Sequence, residues 1–331
     1  MDVAVLMSGG VDSSIAALIL KEEGYNVVGV TLNMHKFSRE NIKRTKKITK
    51  KIKIPHIVLD VKQDFQREII QYFIDEYKNG MTPNPCVVCN SQIKFGIAMD
   101  RLKFNKFATG HYARISHENG WVLKKGVDRL KDQSYFLAMI KKNRLKHIIF
   151  PLGNRKKEEV RMMAKKIGVQ FDEQCESQEI CFIEGSYLRF LENIVHPKEG
   201  DIVDMEGNVI GKHNGILGYT IGQRKRIGKP DTHPYYIVKI DSQNNRLIVG
   251  GERDLYSNIL SVKHPNWLSI PPPNTPLSMD IKIRYGQTPV KAVFYPDKNM
   301  VKFLSPQRAI TPGQIAAFYA GETLLGGGWI S

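Results

Sequence analysis

The sequence predicts an α/β protein, a doubly wound parallel sheet followed by two small β-rich modules, of which the last is a β-barrel. Three observations lead there. Up to about residue 110, short apolar runs alternate with segments whose apolar residues recur at helical spacing. From about residue 200 that spacing stops, and Val-, Ile- and Tyr-rich runs stand between Gly, Asn, Asp and Pro turns. The 331 residues, 42% hydrophobic and 25% charged, suit an ordinary globular chain of two or three domains.

Residues 3–7 form an apolar run ending at Ser8-Gly9-Gly10, as a buried parallel strand should. Residues 11–23 place Val11, Ile15, Leu18 and Ile19 on one helical face, and Gly24 ends the helix. Residues 27–32 and 56–59 read as strands two and three. Between them Ile42, Ile48 and Ile52 make a thin stripe on a strongly basic helix. Helices follow at 65–77 and 91–102, then a fourth strand at 107–109 entering Gly110-His111. Further on, 201–203, 235–240 and 246–249 read as strands of a central module. Pro271-Pro272-Pro273 marks a linker or corner, and 279–284, 290–295 and 300–303 read as barrel strands. The expected domains are 1–198, 199–268 and 269–331.

The net charge is +16 and the pI about 9.5. Such an excess favours a polyanionic partner, because neutralising phosphates releases counterions. No apolar run reaches membrane-span length and MDVAVLMSGG has no signal-peptide pattern, so the expectation is a cytoplasmic protein with no membrane partner.

Ser8-Gly9-Gly10-Val11-Asp12-Ser13-Ser14, set between a strand and a helix, is the strongest motif. Glycines let backbone N–H groups approach an oxyanion, and the helix N-terminus and hydroxyls add to the cradle. Asp12 suits such a site if it holds Mg²⁺ or orients a nucleotide. Neither GxxxxGK[ST] nor GxGxxG is present. The string matches the pyrophosphatase loop of enzymes that split ATP into AMP and pyrophosphate.

The four cysteines, Cys86, Cys89, Cys175 and Cys181, make no disulfide framework. Cys86 and Cys89 sit in Thr82-Pro83-Asn84-Pro85-Cys86-Val87-Val88-Cys89-Asn90. A helix starting near Asn90 would aim its N-terminus at Cys89 and, with Lys94 one turn along, lower its thiol pKa. Half of a zinc site, completed by Cys175 and Cys181, is the bland alternative. The polar lead-in Glu176-Ser177-Gln178-Glu179 places Cys181 on a loop able to reach an active site.

Together these landmarks resemble the tRNA-uridine 2-sulfurtransferases, the bacterial-type tRNA 2-thiouridylases, over nearly the whole chain. They are SGGVDSS at 8–14, TPNPCVVCN at 82–90, TGHYAR at 109–114, KDQSYFL at 131–137 and ESQEICFI at 176–183. GYTIGQRKRIG at 218–228, RYGQ at 284–287, and PGQ with GGGWI near the end complete the series. The resemblance implies a first domain of the adenine-nucleotide alpha-hydrolase type and ATP-dependent 2-thiolation of the wobble uridine of tRNA. ATP with Mg²⁺ is then held by Leu6, Met7, Ser8, Gly9, Gly10, Val11, Asp12 and Ser13, with adenine near Leu32 and Gly110. The flipped uridine attacks the α-phosphorus through O2. Cys181 carries sulfur as a persulfide, delivered by a sulfur-relay protein or cysteine desulfurase, and its terminal sulfur displaces AMP from C2. Cys89 is the partner nucleophile that releases sulfide or closes a disulfide with Cys181.

The same resemblance assigns tRNA contacts to Asn84, Pro85, Cys86, His111, Lys131, Asp132, Gln133, Arg284, Tyr285 and Gln314. The cluster Arg224-Lys225-Arg226 is a further candidate. Two departures stand out: the position after Asn84-Pro85 is often Asp and here is Cys86, and the 33–55 segment is short and lacks the usual Cys and Asp residues. With Cys86, Cys89 and Cys181 available, a [4Fe–4S] cluster is an alternative to persulfide relay. Cys175 is left as spare. Residues 36–53 hold nine Lys or Arg against one acid, and 124–157 hold eleven against two. Each stretch is either a solvated face or a phosphate-contacting one. Other ATP-pyrophosphatase-loop enzymes (amidotransferases, ligases, lysidine-type tRNA modifiers) and an RNA-binding protein with a relic loop remain as rival readings.

Overall fold

The computed structural model describes residues 1–167, 180–225, 227 and 234–331. Cys175, the 176–179 lead-in, Arg226 and Gly228 lie outside the described residues.

The first domain opens with β1 (Asp2–Leu6), α1 (Val11–Glu22), β2 (Asn26–Asn33), α2 (Ser38–Ile52) and β3 (His56–Asp60). A helical stretch follows as α3 (Lys62–Phe65), a π-wound segment (Gln66–Gln71) and α4 (Tyr72–Lys78). A second such stretch is α5 (Pro85–Val88), a π-wound segment (Cys89–Ile97) and α6 (Ala98–Leu102). Then come β4 (Lys106–Ala108), the hairpin β5 (Ala113–His117) and β6 (Trp121–Lys125), β7 (Ile148–Ile149), α7 (Lys157–Lys166) and α8 (Tyr187–Glu192).

Five parallel strands stand in the order β3-β2-β1-β4-β7. Alternation along β1 decides which side chain faces which layer. Val3, Val5 and Met7 pack with Ala17 and Leu20 of α1 and Ile48 and Ile52 of α2. Ala4 and Leu6 pack on the opposite layer with Phe65, Ile69, Phe73 and Ile93. Helices therefore cover both faces, as a parallel sheet requires. The strand order reverses between β1 and β4, and the crevice beyond their carboxyl ends is where such sheets bind ligands. The 8–14 motif leaves β1 and Gly110-His111 leaves β4 at that crevice.

The 91–102 helix begins earlier than expected. Asn84 caps it, its side chain accepting from the Val87 N–H at 3.4 Å, and Pro85 takes the first helical position. Cys89 thus lies inside a helix rather than before one.

The central module holds β8 (Gly200–Val203), β9 (Val209–His213), β10 (Tyr236–Asp241) and β11 (Arg246–Gly250), ordered β10-β11-β8-β9 around Ile202, Ile237, Leu247 and Val249. The third sheet contains β12 (Tyr256–Trp267), β13 (Leu277–Lys282), β14 (Val290–Tyr295), β15 (Met300–Arg308), β16 (Ile315–Ala320) and β17 (Thr323–Ile330). These six close on themselves through β12–β17 pairing. Residues 256–267 therefore stand with the barrel, although the sequence reading grouped them with the central module. Pro271–Pro273 is a corner between two strands of one sheet.

The hairpin β5–β6, to which the sequence reading gave no strands, adds to the barrel by pairing with β17, Thr323 opposite Lys124 and Leu324 opposite Leu123. First domain and barrel are thereby joined by backbone hydrogen bonds. No helix among the described residues is long and apolar enough to cross a membrane.

Candidate functional site

Gly9 adopts φ +78°, and a Cβ there would lie 3.1 Å from both Arg44 Cβ and the Asn41 carbonyl of α2. Only glycine meets both demands. The loop is tied internally: the Ser8 N–H donates to Ser13 Oγ at 3.2 Å, and the Ser13 and Ser14 hydroxyls donate to the Gly10 carbonyl at 3.2 and 2.7 Å. These hydroxyls shape the cradle, leaving the first N–H groups of α1, which a helix cannot satisfy internally, to face an anion. Gly110 closes the other side, where a Cβ would fall 2.7 Å from the Asp12 carbonyl carbon and the Ser13 nitrogen. Leu6, Met7 and Leu32 are buried in the strands behind the loop, while Val11 is half-buried at its mouth.

Asp12 is already engaged. Lys157, at the start of α7, donates to its two carboxylate oxygens at 2.7 and 2.8 Å, and the Tyr112 hydroxyl donates to one of them at 2.9 Å. Lys157 is itself buried, so the pair fixes the carboxylate's direction at the loop. The sequence reading missed both partners: Lys157 sat unremarked in a basic run, and Tyr112 in the 109–114 motif.

The 82–90 segment is held from three sides. The Gln314 amide donates to the carbonyls of Thr82 and Pro83 at 2.9 and 3.3 Å, and its oxygen accepts from Asn84 at 3.3 Å. The Thr82 N–H donates to the Pro312 carbonyl at 2.9 Å, and its hydroxyl donates to Thr220 of the central module at 3.2 Å. The Tyr72 hydroxyl accepts from the Asn84 N–H at 3.3 Å. Asn84 and Pro85 are buried, and Cys86 is the exposed residue beside them.

Cys86, Cys89 and Cys181 are free thiols, and all three lie within electrostatic reach of Lys94. Cys181 also feels Cys89 and Cys86, so the fold gathers thiols that are 95 and 92 positions apart in sequence from it. Burial pushes the Cys89 thiol up to about 11 and Cys181 up to about 12, against the pull of Lys94. Cys86 is raised for the same reason. This corrects the expectation of a lowered Cys89 pKa, since desolvation outweighs the nearby ammonium and the helix N-terminus lies a turn away. Cys86 and Cys181 reach the surface, yet the protein packed around each disfavours its thiolate.

His111 joins the two halves. Its Nδ1 lies 2.6 Å from Thr109 Oγ1, and its ring packs between Phe95 and Phe150. Burial, with Lys94 acting in the same direction, holds its pKa well below the ordinary value, so the imidazole is neutral.

Of the remaining candidates for nucleic-acid contact, Tyr285 is exposed and lies against Phe136, ring centres 4.6 Å apart, with the Lys282 ammonium 5.3 Å above. Phe136 follows Tyr135, whose hydroxyl donates to the Ile315 carbonyl next to Gln314. Arg284 turns inward, donating to the Arg308 and Ala309 carbonyls. Asp132 is buried and accepts from the Gly126 and Ser134 N–H groups and the Ser134 hydroxyl. Gln133 accepts from the Tyr112 N–H at 3.1 Å. Asp132 and Gln133 thus shape the loop that presents half-buried Lys131.

Among the described residues no three His, Cys, Asp or Glu side chains form a group able to hold a metal ion. As placed, Cys86, Cys89 and Cys181 do not fit cluster ligation; the zinc alternative also needs Cys175, which lies outside the described residues.

Residues 1–185 match the family described as the tRNA methyl transferase HUP domain, 188–251 its PRC-barrel domain, and 257–330 the aminomethyltransferase β-barrel domain. The chain is 43% identical over 353 residues to tRNA-specific 2-thiouridylase MnmA 1 of Caldanaerobacter subterraneus subsp. tengcongensis, covering 99% of this chain and 97% of that protein. It is 42% identical over 340 residues to tRNA-specific 2-thiouridylase MnmA of Syntrophomonas wolfei, covering all of both chains. Among solved structures, the U34-tRNA thiolase NcsA from Methanococcus maripaludis with its [4Fe-4S] cluster is 18% identical, with a TM-score of 0.38 over 59% of this chain and 65% of that one.

Proposed function

The chain belongs to the family of the tRNA-specific 2-thiouridylases, and from that premise we propose that it thiolates C2 of the wobble uridine of tRNA at the expense of ATP, relaying sulfur through Cys181 and Cys89. The observation that carries the reading is that three thiols, from two segments far apart in sequence, share the field of Lys94, which also acts on His111, the neighbour of Gly110 at the nucleotide loop. Methyl transfer, named in the description of the matched domains, would leave both the anion cradle and the gathered thiols without a task.

The residues present fit ATP, since the bare Gly110 backbone lies against Asp12 and Ser13, where a side chain would crowd the cradle. Ser8 to Ser13 hold its phosphates, and the α1 N-terminus stabilises negative charge on the departing pyrophosphate. Mg²⁺, where bound, would neutralise phosphate charge, and Asp12, here paired with Lys157, would be the carboxylate to hold it. The uridine flips into the recess walled by Asn84, Pro85 and Cys86, and its O2 displaces pyrophosphate from the α-phosphorus. A donor protein supplies a persulfide on Cys181. Its terminal sulfur attacks C2 as AMP leaves, giving a C2–S–S–Cys181 link. Cys89 attacks Cys181 Sγ, which releases the 2-thiouridine and leaves a Cys89–Cys181 disulfide. The transferred sulfur gains the two electrons that the thiols lose, and a cellular dithiol restores them. The cytoplasmic setting follows from the substrate.

The test is iron-free enzyme with unmodified tRNA, ATP–Mg²⁺ and a persulfide donor, followed by mass spectrometry of the digested nucleosides. Formation of 2-thiouridine is expected. AMP release without a thiolated base would overturn the relay, and neither product from folded enzyme would overturn the whole reading.

A further inference from the structure

Cys181 is exposed, but the adjoining Phe182 is only 5% exposed. Its ring meets three others edge to face: Phe73 at 5.4 Å and 89°, Phe65 at 5.7 Å and 76°, and Phe190 at 5.9 Å and 68°. Phe65 ends α3, Phe73 belongs to α4 and Phe190 to α8, so three helices build the socket. The Ile183 N–H donates to the Ile180 carbonyl at 3.0 Å, closing 180–183 into a tight turn with Cys181 as its second residue. One side chain of the turn is therefore driven into the socket while its neighbour is left facing the thiol recess.

The socket reaches further on both sides. Phe65 packs on His35 at 5.5 Å, just past β2 and the rim of the nucleotide crevice. Phe73 packs on Tyr77 at 5.0 Å, and Tyr77 stacks on Tyr187 at 5.6 Å. The Tyr187 hydroxyl donates to the Gly218 carbonyl at 3.2 Å, within the central module's 218–228 motif. Edge-to-face packing is directional, so three such contacts fix the orientation of the turn as well as its depth.

We propose that Phe182 is a positioning residue for sulfur transfer: its ring, locked among Phe65, Phe73 and Phe190, sets the approach of Cys181 to Cys89 in register with the nucleotide rim and the central module. The inference rests on the sulfur-relay reading above. Reaction between two held thiols depends steeply on how well their geometry is fixed, which is what a rigid neighbour supplies and a bare turn does not.

The experiment equilibrates full-length, reduced enzyme with glutathione and glutathione disulfide and maps the Cys89–Cys181 bond by mass spectrometry. Each bond closed reduces one glutathione disulfide to two glutathiones. Phe182→Ala should lower the effective concentration of the two thiols by about tenfold or more, and Phe182→Leu, which fills the socket without a ring edge, by about threefold. Thiolation should fall in step, while single-turnover, tRNA-dependent pyrophosphate release, which precedes the sulfur step, stays at the wild-type rate and reports an intact fold. Unchanged bond formation in Phe182→Ala overturns the proposal. So does a parallel loss of pyrophosphate release and bond formation in both variants, since that is general loosening. Wild-type enzyme that thiolates tRNA without closing the bond overturns the relay itself, and a wild type that closes it no better than Phe182→Ala overturns Phe182 alone.

Discussion

The Lys157 ammonium, 2.7 and 2.8 Å from the two oxygens of Asp12 and largely buried, makes that carboxylate both a fold-holding and a site-directing group. Removing it strands a buried cation, a loss of about 3–5 kcal/mol in comparable pairs. Asp12→Asn keeps an acceptor for Tyr112 and Lys157 and is the cleaner variant. It should cut AMP formation by about a hundredfold, the scale of one lost charged group at a reacting phosphate, with tRNA affinity nearly unchanged in a filter-binding assay. The thiols predict a pH dependence. With Cys89 raised to about 11 and Cys181 to about 12, few thiolates exist near neutrality. Single-turnover release of 2-thiouridine should rise with pH from 7 to 9 while pyrophosphate release does not follow it. A pKa raised by folding means that the folded state holds the proton more tightly. Stability is then complete below the ordinary thiol value of 9.0 and lost as pH climbs toward 11. Melting curves from pH 8 to 10.5 should show that loss, and Cys89→Ser should reduce it.

At the scale of elements, the 82–90 segment depends on a residue from the far end of the chain. Gln314→Ala removes the donors to Thr82 and Pro83 and the acceptor for Asn84, yet leaves the Asn84 cap on Val87. The expected cost is about 1–2 kcal/mol in denaturant unfolding. Thiolation should slow while the KM for ATP stays put, because the nucleotide loop is built elsewhere; an altered KM for ATP would show the two loops to be coupled. The elements also divide by legibility. Val3 to Met7 and the Gly-Gly turn were readable because a buried strand is a continuous apolar run. The start at Pro85 was not, because Thr82-Pro83-Asn84-Pro85 reads as loop, and π-winding over Cys89–Ile97 departs from the 3.6 period that marks a helix. The β5–β6 hairpin was missed although Asn119-Gly120 is a hairpin-turn signal; what no local pattern showed is that β6 pairs with β17 of the barrel.

The whole molecule converges on Thr82, which bonds to Pro312 of the barrel's end and Thr220 of the central module while leading into the thiol helix. The three modules thus meet at one residue of the segment that carries Cys86 and Cys89, in a chain of net charge +16. Nearly all the cations of α2 are exposed, as a face for phosphates requires. Binding of unmodified tRNA should therefore weaken by about a hundredfold or more between 50 and 200 mM salt, as expected when several phosphates are neutralised; a flat dependence would remove the electrostatic account.

The sequence by itself determined the α/β order, the change to β structure near residue 200, the glycine turn between β1 and α1, and the family. Those depend on local patterns: apolar periodicity, glycine where φ must be positive, and short motifs in a fixed order. The tertiary structure alone decided that Lys157 and Tyr112 hold Asp12, that Gln314 pins the segment leading to Cys89, and that burial raises the thiols which a helix N-terminus was expected to lower. It also seated Phe182 among rings from three helices. Partners a hundred or more residues apart leave no periodic trace, and desolvation is a property of everything packed around a group, which no neighbour in sequence reports.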